Sequence, residues 1–90
     1  MIQKIYSIHD QAAGAYLPPF FMHTDAIAIR TFADCVNDPD HAFGKNPHDY
    51  TIFFIGTFDD ETGLISKQTP ETLGNGVQFV KTDTPDQEQA

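Results

Sequence analysis

Acidic and imidazole side chains cluster in the middle of the sequence, where their types would suit a metal-dependent enzyme. Asp38, Asp40 and His41 share one segment, and His48 and Asp49 follow shortly after. Mixed carboxylate and imidazole ligands hold zinc and other divalent metals. Their spacing matches neither paired cysteines nor a helical His-Glu-x-x-His motif. We therefore expect Asp38 and Asp40 to cap a loop, and we predict no metal, no cofactor and no enzymatic activity.

Two further groups of reactive residues have simpler interpretations. The three acids at residues 59–61 lack the spaced oxygen ligands of a calcium hand, so a solvated turn is expected. Cys35 could act as a nucleophile with a distant histidine, but a small apolar thiol at the border of a helix stripe is expected to pack. One cysteine also excludes a disulfide within the chain.

Aromatic and basic side chains could together bind single-stranded nucleic acid. Bases stack on aromatic rings while lysine and arginine contact phosphates. The sequence has 8 Phe and 3 Tyr, and most of them are expected in the core of so small a domain. Tyr16 and Phe20 are the aromatic residues that we expect to be exposed and able to stack on bases. The candidate contacts to nucleic acid or a protein partner are Lys4, Tyr16, Phe20, Arg30, Lys45, Lys67 and Lys81.

Charge argues against general attraction to DNA or to anionic membranes. There are 5 basic and 13 acidic residues, which give a net charge of -8. Phosphate binding needs clustered lysine and arginine, and no two basic residues are near neighbours here. No apolar run approaches the roughly 20 residues that span a bilayer, and no signal-peptide layout is visible. We expect a soluble, intracellular protein without membrane contacts.

The first half of the chain is predicted to hold one strand and one extended segment. Alternating apolar residues predict a strand over residues 2–8, followed by a loop over residues 9–14. Pro18 and Pro19 keep residues 17–21 extended, because proline removes a backbone donor and biases its predecessor. The phenylalanines of this segment are expected to fill the core.

A single substantial helix is predicted next. Thr24 suits the N-cap, and Asp25 suits the first turn. The Asn-Asp-Pro sequence at residues 37–39 ends the helix, and a loop continues to Lys45. One apolar stripe should face a sheet, and it comprises Ile29, Phe32, Ala33 and Val36.

The strongest strand signal lies at residues 50–58, after a proline-initiated helical turn at residues 46–49. Phe53 and Ile55 are expected on one face, opposite an apolar face at the other positions. A strand that is apolar on both faces is expected to be central and covered on both sides. The face opposite Phe53 and Ile55 is predicted to carry Tyr50, Ile52, Phe54 and Phe58.

The remaining elements are predicted as a turn (59–63), a strand (64–67), a helical turn (69–72), a turn (74–76), a strand (77–81) and an acidic tail (82–90).

These elements predict an α+β fold in a single domain of residues 1–81. We expect a small, mainly antiparallel sheet of three to four strands in β-α-β-β order, with one main helix on one face. One helix covers only one face of a sheet. The extended segment with Phe20 and Phe21, or a second copy of the chain, must then cover the other, and we expect a homodimer.

Several segments in order resemble the small nonstructural protein of gokushovirus-type microviruses, which are single-stranded DNA bacteriophages. The resemblance covers roughly residues 2–81. Because each motif is short, the resemblance rests on all the motifs occurring together in the same order. The matching motifs are YLPPFF (16–21), RTFAD (30–34), VNDP (36–39), NPHDY (46–50) and IGTFD (55–59), followed by the Gly63 turn.

This resemblance implies a protein made in the infected bacterial cytoplasm that is not part of the capsid shell. Such proteins are often described as DNA-binding, and no catalytic residues are carried over. The acidic charge favours an accessory protein that acts in viral DNA replication through a phage or host replication protein. Direct binding of single-stranded DNA for genome synthesis or packaging is the alternative. A metal-dependent enzyme using residues such as Asp38 and His48 is the third reading.

Overall fold

The computed structural model describes residues 1–81. Its elements follow the chain as five strands, two helices and two 3₁₀ turns. The strands are β1 (Ile2–Asp10), β2 (Ala15–Tyr16), β3 (Phe20–Met22), β4 (Tyr50–Asp59) and β5 (Ile65–Asn75). The helices are α1 (Asp25–Val36) and α2 (Ala42–Lys45), and the 3₁₀ turns are Pro47–Asp49 and Gly76–Phe79.

One antiparallel sheet organises these elements in the order β2-β1-β4-β5. The short β3 also pairs with β1, beside β2 on the same edge. The predicted α+β class with one main helix is confirmed. The sheet has five strands because the segment around Pro18 and Pro19 supplies two short ones, separated by the prolines that cannot donate to a ladder.

Helix α1 begins where the sequence predicts. The Thr24 hydroxyl accepts a hydrogen bond from the Ile27 backbone N–H at 3.2 Å, which satisfies one free donor of the first turn. Phe32 and Val36 are buried as expected, and Ala28 is buried with them, whereas Ile29 is only half-buried. The buried stripe is thus rotated slightly toward Ala28 relative to the predicted one.

The hydrophobic core lies between α1 and one face of the sheet, which we call the covered face. Tyr6, Ile8 and Ile52 project from β1 and β4 against the buried side of α1. Phe43 of α2 and Phe79 of the last 3₁₀ turn contact Phe32 from the same side, with ring centroids 5.5 and 5.8 Å away. The helical elements therefore all pack on this side.

A bulge in β4 changes which of its aromatic residues share a face. Ile5 pairs with Gly56 but Tyr6 pairs with Phe54, so Ile55 is an extra residue between the two pairs. Because side chains alternate along a strand, the extra residue moves Phe58 to the face opposite Phe54. The prediction that Phe58 shares a face with Ile52 and Phe54 is wrong for this reason.

The predicted helical turn at residues 69–72 is wrong, because β5 continues through it. Lys67 pairs with Gly56 and Glu71 pairs with Phe54, which leaves residues 68–70 as a second bulge opposite Ile55. A proline is tolerated in an edge strand or at a bulge, and Pro70 lies in a bulge of the edge strand β5.

The predicted strand at residues 77–81 is also wrong, since a 3₁₀ turn forms at Gly76–Phe79. The Asn75 side chain accepts from the Val77 N–H at 3.0 Å, and Gln78 Oε1 accepts from the Asn75 N–H at 2.6 Å. This capping box offers the backbone a local alternative to strand pairing. The expected acidic tail at residues 82–90 lies outside the described residues.

Candidate functional site

The sheet has a second face on which no helical element of residues 1–81 packs. We call it the open face. Strand register and side-chain alternation determine its members, since residues directly paired across strands point the same way. They include Gln3, Ile5, Ser7, His9, Tyr16, Phe21, Thr51, Phe53, Phe58, Ile65, Lys67 and Thr72.

Three rings form a cluster at one end of the open face. His9 and Tyr16 pair across β1 and β2, and their ring centroids lie 4.8 Å apart. The Phe53 ring on β4 lies 5.5 Å from Tyr16 and 6.4 Å from His9, in edge-to-face arrangements. Aromatic pairs favour such arrangements. The three rings together form one continuous aromatic surface.

A second aromatic pair lies at the other end of the same face. The rings of Phe21 on β3 and Phe58 on β4 are 5.7 Å apart and nearly perpendicular. Ile65 of β5 is paired with Phe58 and extends the apolar surface to the far edge of the sheet. The buried Ile5 lies between Phe21 and Gly56 in the register, and forms part of the floor.

Solvent reaches much of this apolar surface in the single chain. Tyr16 is 47% exposed, Phe21 is 44% exposed and Ile65 is 66% exposed. Singly exposed apolar residues are ordinary, but a contiguous group of them marks an interaction surface. The expected cover from the segment at residues 20–21 is only partial: Phe20 faces the core, with its ring 5.8 Å from Tyr6, and Phe21 faces the open side.

Within the described residues, no acidic side chain lies on the open face, although the protein as a whole is acidic. The acidic residues in the strands point to the covered face: Asp10 pairs with Tyr50, Asp59 with Ile2, and Glu71 with Phe54. The other acidic residues of positions 1–81 lie on α1, in the loop after it, in the Pro47–Asp49 turn and in the β4–β5 turn. The negative charge of positions 1–81 is thus segregated away from the aromatic surface.

The candidate contact residues are divided between the two sides of the sheet. Tyr16 and Lys67 lie on the open face. Lys4 is on the covered face, where its Nζ donates to Asp25 at 3.2 Å and lies 5.4 Å from the centre of the Phe54 ring. The remaining candidates on the helical side are Phe20, Arg30, Lys45 and Lys81.

Several open-face residues were not among the sequence candidates. They are His9, Phe21, Phe53, Phe58 and Ile65. The alternation that sets Phe53 apart from Ile52 and Phe54 was a usable signal. No local pattern marks the bulge at Ile55, and strict alternation without that bulge assigns Phe58 to the core face.

Two of the residues considered for a metal site, Asp38 and His41, cap backbone N–H groups in their loop. His41 Nδ1 accepts a hydrogen bond from the Phe43 N–H at 3.0 Å and so starts α2, a short helix that the sequence did not predict. Asp38 accepts from the Asp40 N–H at 2.9 Å. Among residues 1–81, no three His, Cys, Asp or Glu side chains are grouped to hold a metal ion.

Cys35 is half-buried on α1, and its environment opposes ionisation. Burial raises the pKa of its thiol, and the nearby carboxylates of Asp34 and Asp38 raise it further. The thiolate is the reactive form of cysteine, so this environment keeps the group inert.

The acidic turn at residues 59–61 is likewise structural. Asp59 accepts a hydrogen bond from the Glu61 N–H at 2.9 Å, which lowers the pKa of Asp59.

Fold and surface together define a small α+β protein with one face of its sheet left open and aromatic. Residues 3–79 match the family model described as Phage ORF5 protein, and the chain belongs to that family. It is therefore a phage accessory protein. No curated protein and no solved structure is significantly similar to it. Within residues 1–81, no helix is long and apolar enough to cross a bilayer.

Proposed function

We propose that this protein binds single-stranded DNA on the open face, without catalysis, in the cytoplasm of the infected bacterium. It would serve genome synthesis or packaging in a phage of the gokushovirus type that its motifs resemble. The observation that carries the proposal is the joint placement of Tyr16, Phe21, Phe53 and Phe58 on a sheet face where residues 1–81 place no acidic side chain.

The aromatic surface suits unpaired bases because every base has a flat face that stacks on a ring. Each stacked base contributes about 1–3 kcal/mol, with little dependence on its identity. Sheets that present aromatic residues from neighbouring strands are one of the recurrent platforms for single-stranded nucleic acid. The two ring clusters, around Tyr16 and around Phe21, would each receive a base.

Electrostatic attraction contributes little to this mode of binding. Lys67 is the single basic residue that the register places on the open face within residues 1–81. One phosphate contact predicts an affinity that falls only about threefold between roughly 50 and 200 mM salt. Five converging cations would predict roughly a hundredfold fall over the same range.

The test is the fluorescence anisotropy of a labelled single-stranded oligonucleotide, titrated with the whole protein. Tyr16→Ala and Phe21→Ala should each weaken binding by roughly 5- to 150-fold, which corresponds to one lost stacked base. Ile27→Ala is the matched control, because Ile27 is 43% exposed and apolar but lies on α1. Lys67→Ala should abolish most of the weak salt dependence.

Other outcomes would overturn the proposal. Binding that is unchanged by Tyr16→Ala and Phe21→Ala would remove the open face from DNA recognition. A homodimer in sedimentation experiments that Tyr16→Ala or Phe21→Ala dissociates, together with no DNA binding at the lower salt, would assign the face to a second copy. Contact with a phage or host replication protein would then have to use the acidic side.

A further inference from the structure

An apolar groove lies on the helical side of the sheet, away from the open face. Its volume is about 460 Å³. Leu17, Pro18 and Phe20 form one wall, and Thr31 and Cys35 of α1 form the other. Buried core residues form the floor. A volume of several hundred Å³ accommodates one or two bulky side chains.

The chemistry of the groove excludes a polar small molecule as its natural occupant. Thr31 is the main polar side chain in the lining, and its hydroxyl already donates to the Ile27 carbonyl at 2.9 Å. Sites for small polar ligands combine an apolar surface with several convergent polar groups. The groove therefore favours apolar side chains presented by another chain.

Two carboxylates lie close to Cys35, one of the residues that line this groove. Asp34 precedes Cys35 on α1, and the Asp38 N–H donates to the Cys35 carbonyl at 3.2 Å. Both acidic side chains are exposed. Their charge is close enough to disfavour ionisation of the Cys35 thiol. An occupant of the groove would thus meet an apolar floor with negative charge at its rim.

We propose that this groove docks a short segment of another protein that carries a bulky apolar anchor with Lys or Arg beside it. The apolar walls select the anchor, and Asp34 and Asp38 select the adjacent cation. The net charge of -8 favours basic partners in general, and the groove gives that preference a defined place. The inference is independent of DNA binding, because the open face lies on the other side of the sheet.

The first experiment is selection of binders to the whole protein from a library of random short peptides. The selected peptides should combine Phe, Leu, Met or Trp with a neighbouring Lys or Arg. Thr31→Trp fills the groove from an exposed helix position, and it should weaken the selected peptides at least tenfold. Amide chemical shifts of the wild-type protein supply a readout that needs no variant: residues around Cys35 and Phe43 should shift, and Phe53 should not.

A charge test separates the rim from the general acidity of the protein. In Asp34→Asn/Asp38→Asn the amide at residue 38 can still accept from the Asp40 N–H, so the loop cap is retained. This variant should weaken peptide binding about fivefold at low salt, as expected for two exposed ion pairs. Glu61→Gln/Glu71→Gln removes the same charge away from the groove and should leave the affinity within twofold.

Four results would overturn the inference. Selected peptides could lack apolar anchors or basic residues, or bind Thr31→Trp as tightly as the wild type. If both double variants weakened peptide binding equally, the effect of Asp34 and Asp38 would be one of overall charge and not of a local contact. A homodimer that Thr31→Trp dissociates would assign the groove to a second copy of this chain.

Discussion

The hydroxyl of Tyr6 donates a hydrogen bond to Asp25 Oδ1 at 2.6 Å, and this bond joins the centre of the sheet to the first turn of α1. Tyr6 is fully buried, whereas Asp25 is half-exposed beside the N-cap. Lys4 donates to the same oxygen at 3.2 Å. Burial raises the pKa of Tyr6 and the Asp25 carboxylate raises it further, so the phenol remains a donor. The same bond, with help from Lys4, lowers the pKa of Asp25.

Replacing Tyr6 with Phe should lower the free energy of unfolding by about 2 kcal/mol, the usual contribution of a hydrogen bond to a charged group. The ring remains, so packing against Phe20 and Phe54 should be preserved. Urea denaturation followed by circular dichroism measures the change. Tyr50→Phe is the control, because within residues 1–81 the Tyr50 hydroxyl has no hydrogen-bond partner. An equal loss in both variants would show that the Tyr6–Asp25 bond contributes nothing specific.

Acid should weaken the fold partly through Asp25. A carboxyl whose pKa is lower in the folded state stabilises the protein fully above its unfolded pKa of about 4. That contribution is lost as pH falls through the folded pKa. Asp25→Asn should therefore be less stable than the wild type at neutral pH, and the difference should shrink below pH of about 4. Equilibrium unfolding of both proteins across this range measures it, and a constant difference would contradict the prediction.

Asn37→Asp should loosen the contact between the end of α1 and the last 3₁₀ turn. Asn37 Nδ2 donates to the carbonyls of Ala33 and Phe79, at 2.8 and 2.9 Å, and its Oδ1 accepts from the Lys81 N–H at 2.8 Å. An ionised aspartate cannot donate, and its charge opposes the helix dipole. We expect a loss of about 2–3 kcal/mol in stability.

Hydrogen exchange would locate the effect of Asn37→Asp. Amides at residues 77–81 should lose protection more than those of β1 and β4. Asn46→Asp adds the same charge where the side chain makes no capping hydrogen bond, and its stability should stay within about 0.5 kcal/mol. Unchanged protection at residues 77–81 in Asn37→Asp would contradict the assigned contact.

Gly56→Ala should destabilise the β4–β5 pairing. A Cβ at this buried position would lie 2.6 Å from the Ser66 carbonyl oxygen, closer than atoms approach without a backbone shift. Overpacking of this kind costs about 1–3 kcal/mol. Thermal unfolding measures the loss, and Thr57→Ala serves as the neighbouring control, since it removes atoms and adds none. A stability loss no larger than that of Thr57→Ala would mean that the strands separate there at little cost.

Elements with local signals were predictable from the amino-acid sequence. Helix α1 was predictable because its N-cap at Thr24 and its apolar spacing at Phe32 and Val36 depend on residues within a few turns of one another. The strand at residues 50–58 was predictable because β-branched and aromatic residues fill it. The Pro47–Asp49 turn followed from its initial proline. The α+β class follows from these elements.

The strand register, and with it the site, depends on pairing between residues that are distant in sequence. Residues 69–72 carry a strong local turn signal, yet pairing with β4 holds them in an edge strand with a bulge. The extra residue Ile55 moves Phe58 beside Phe21, which is distant in sequence. Such long-range pairings depend on the free energy of the whole sheet and not on local propensity. For that reason the sequence indicated many aromatic residues, and only the fold determined which of them form an open face.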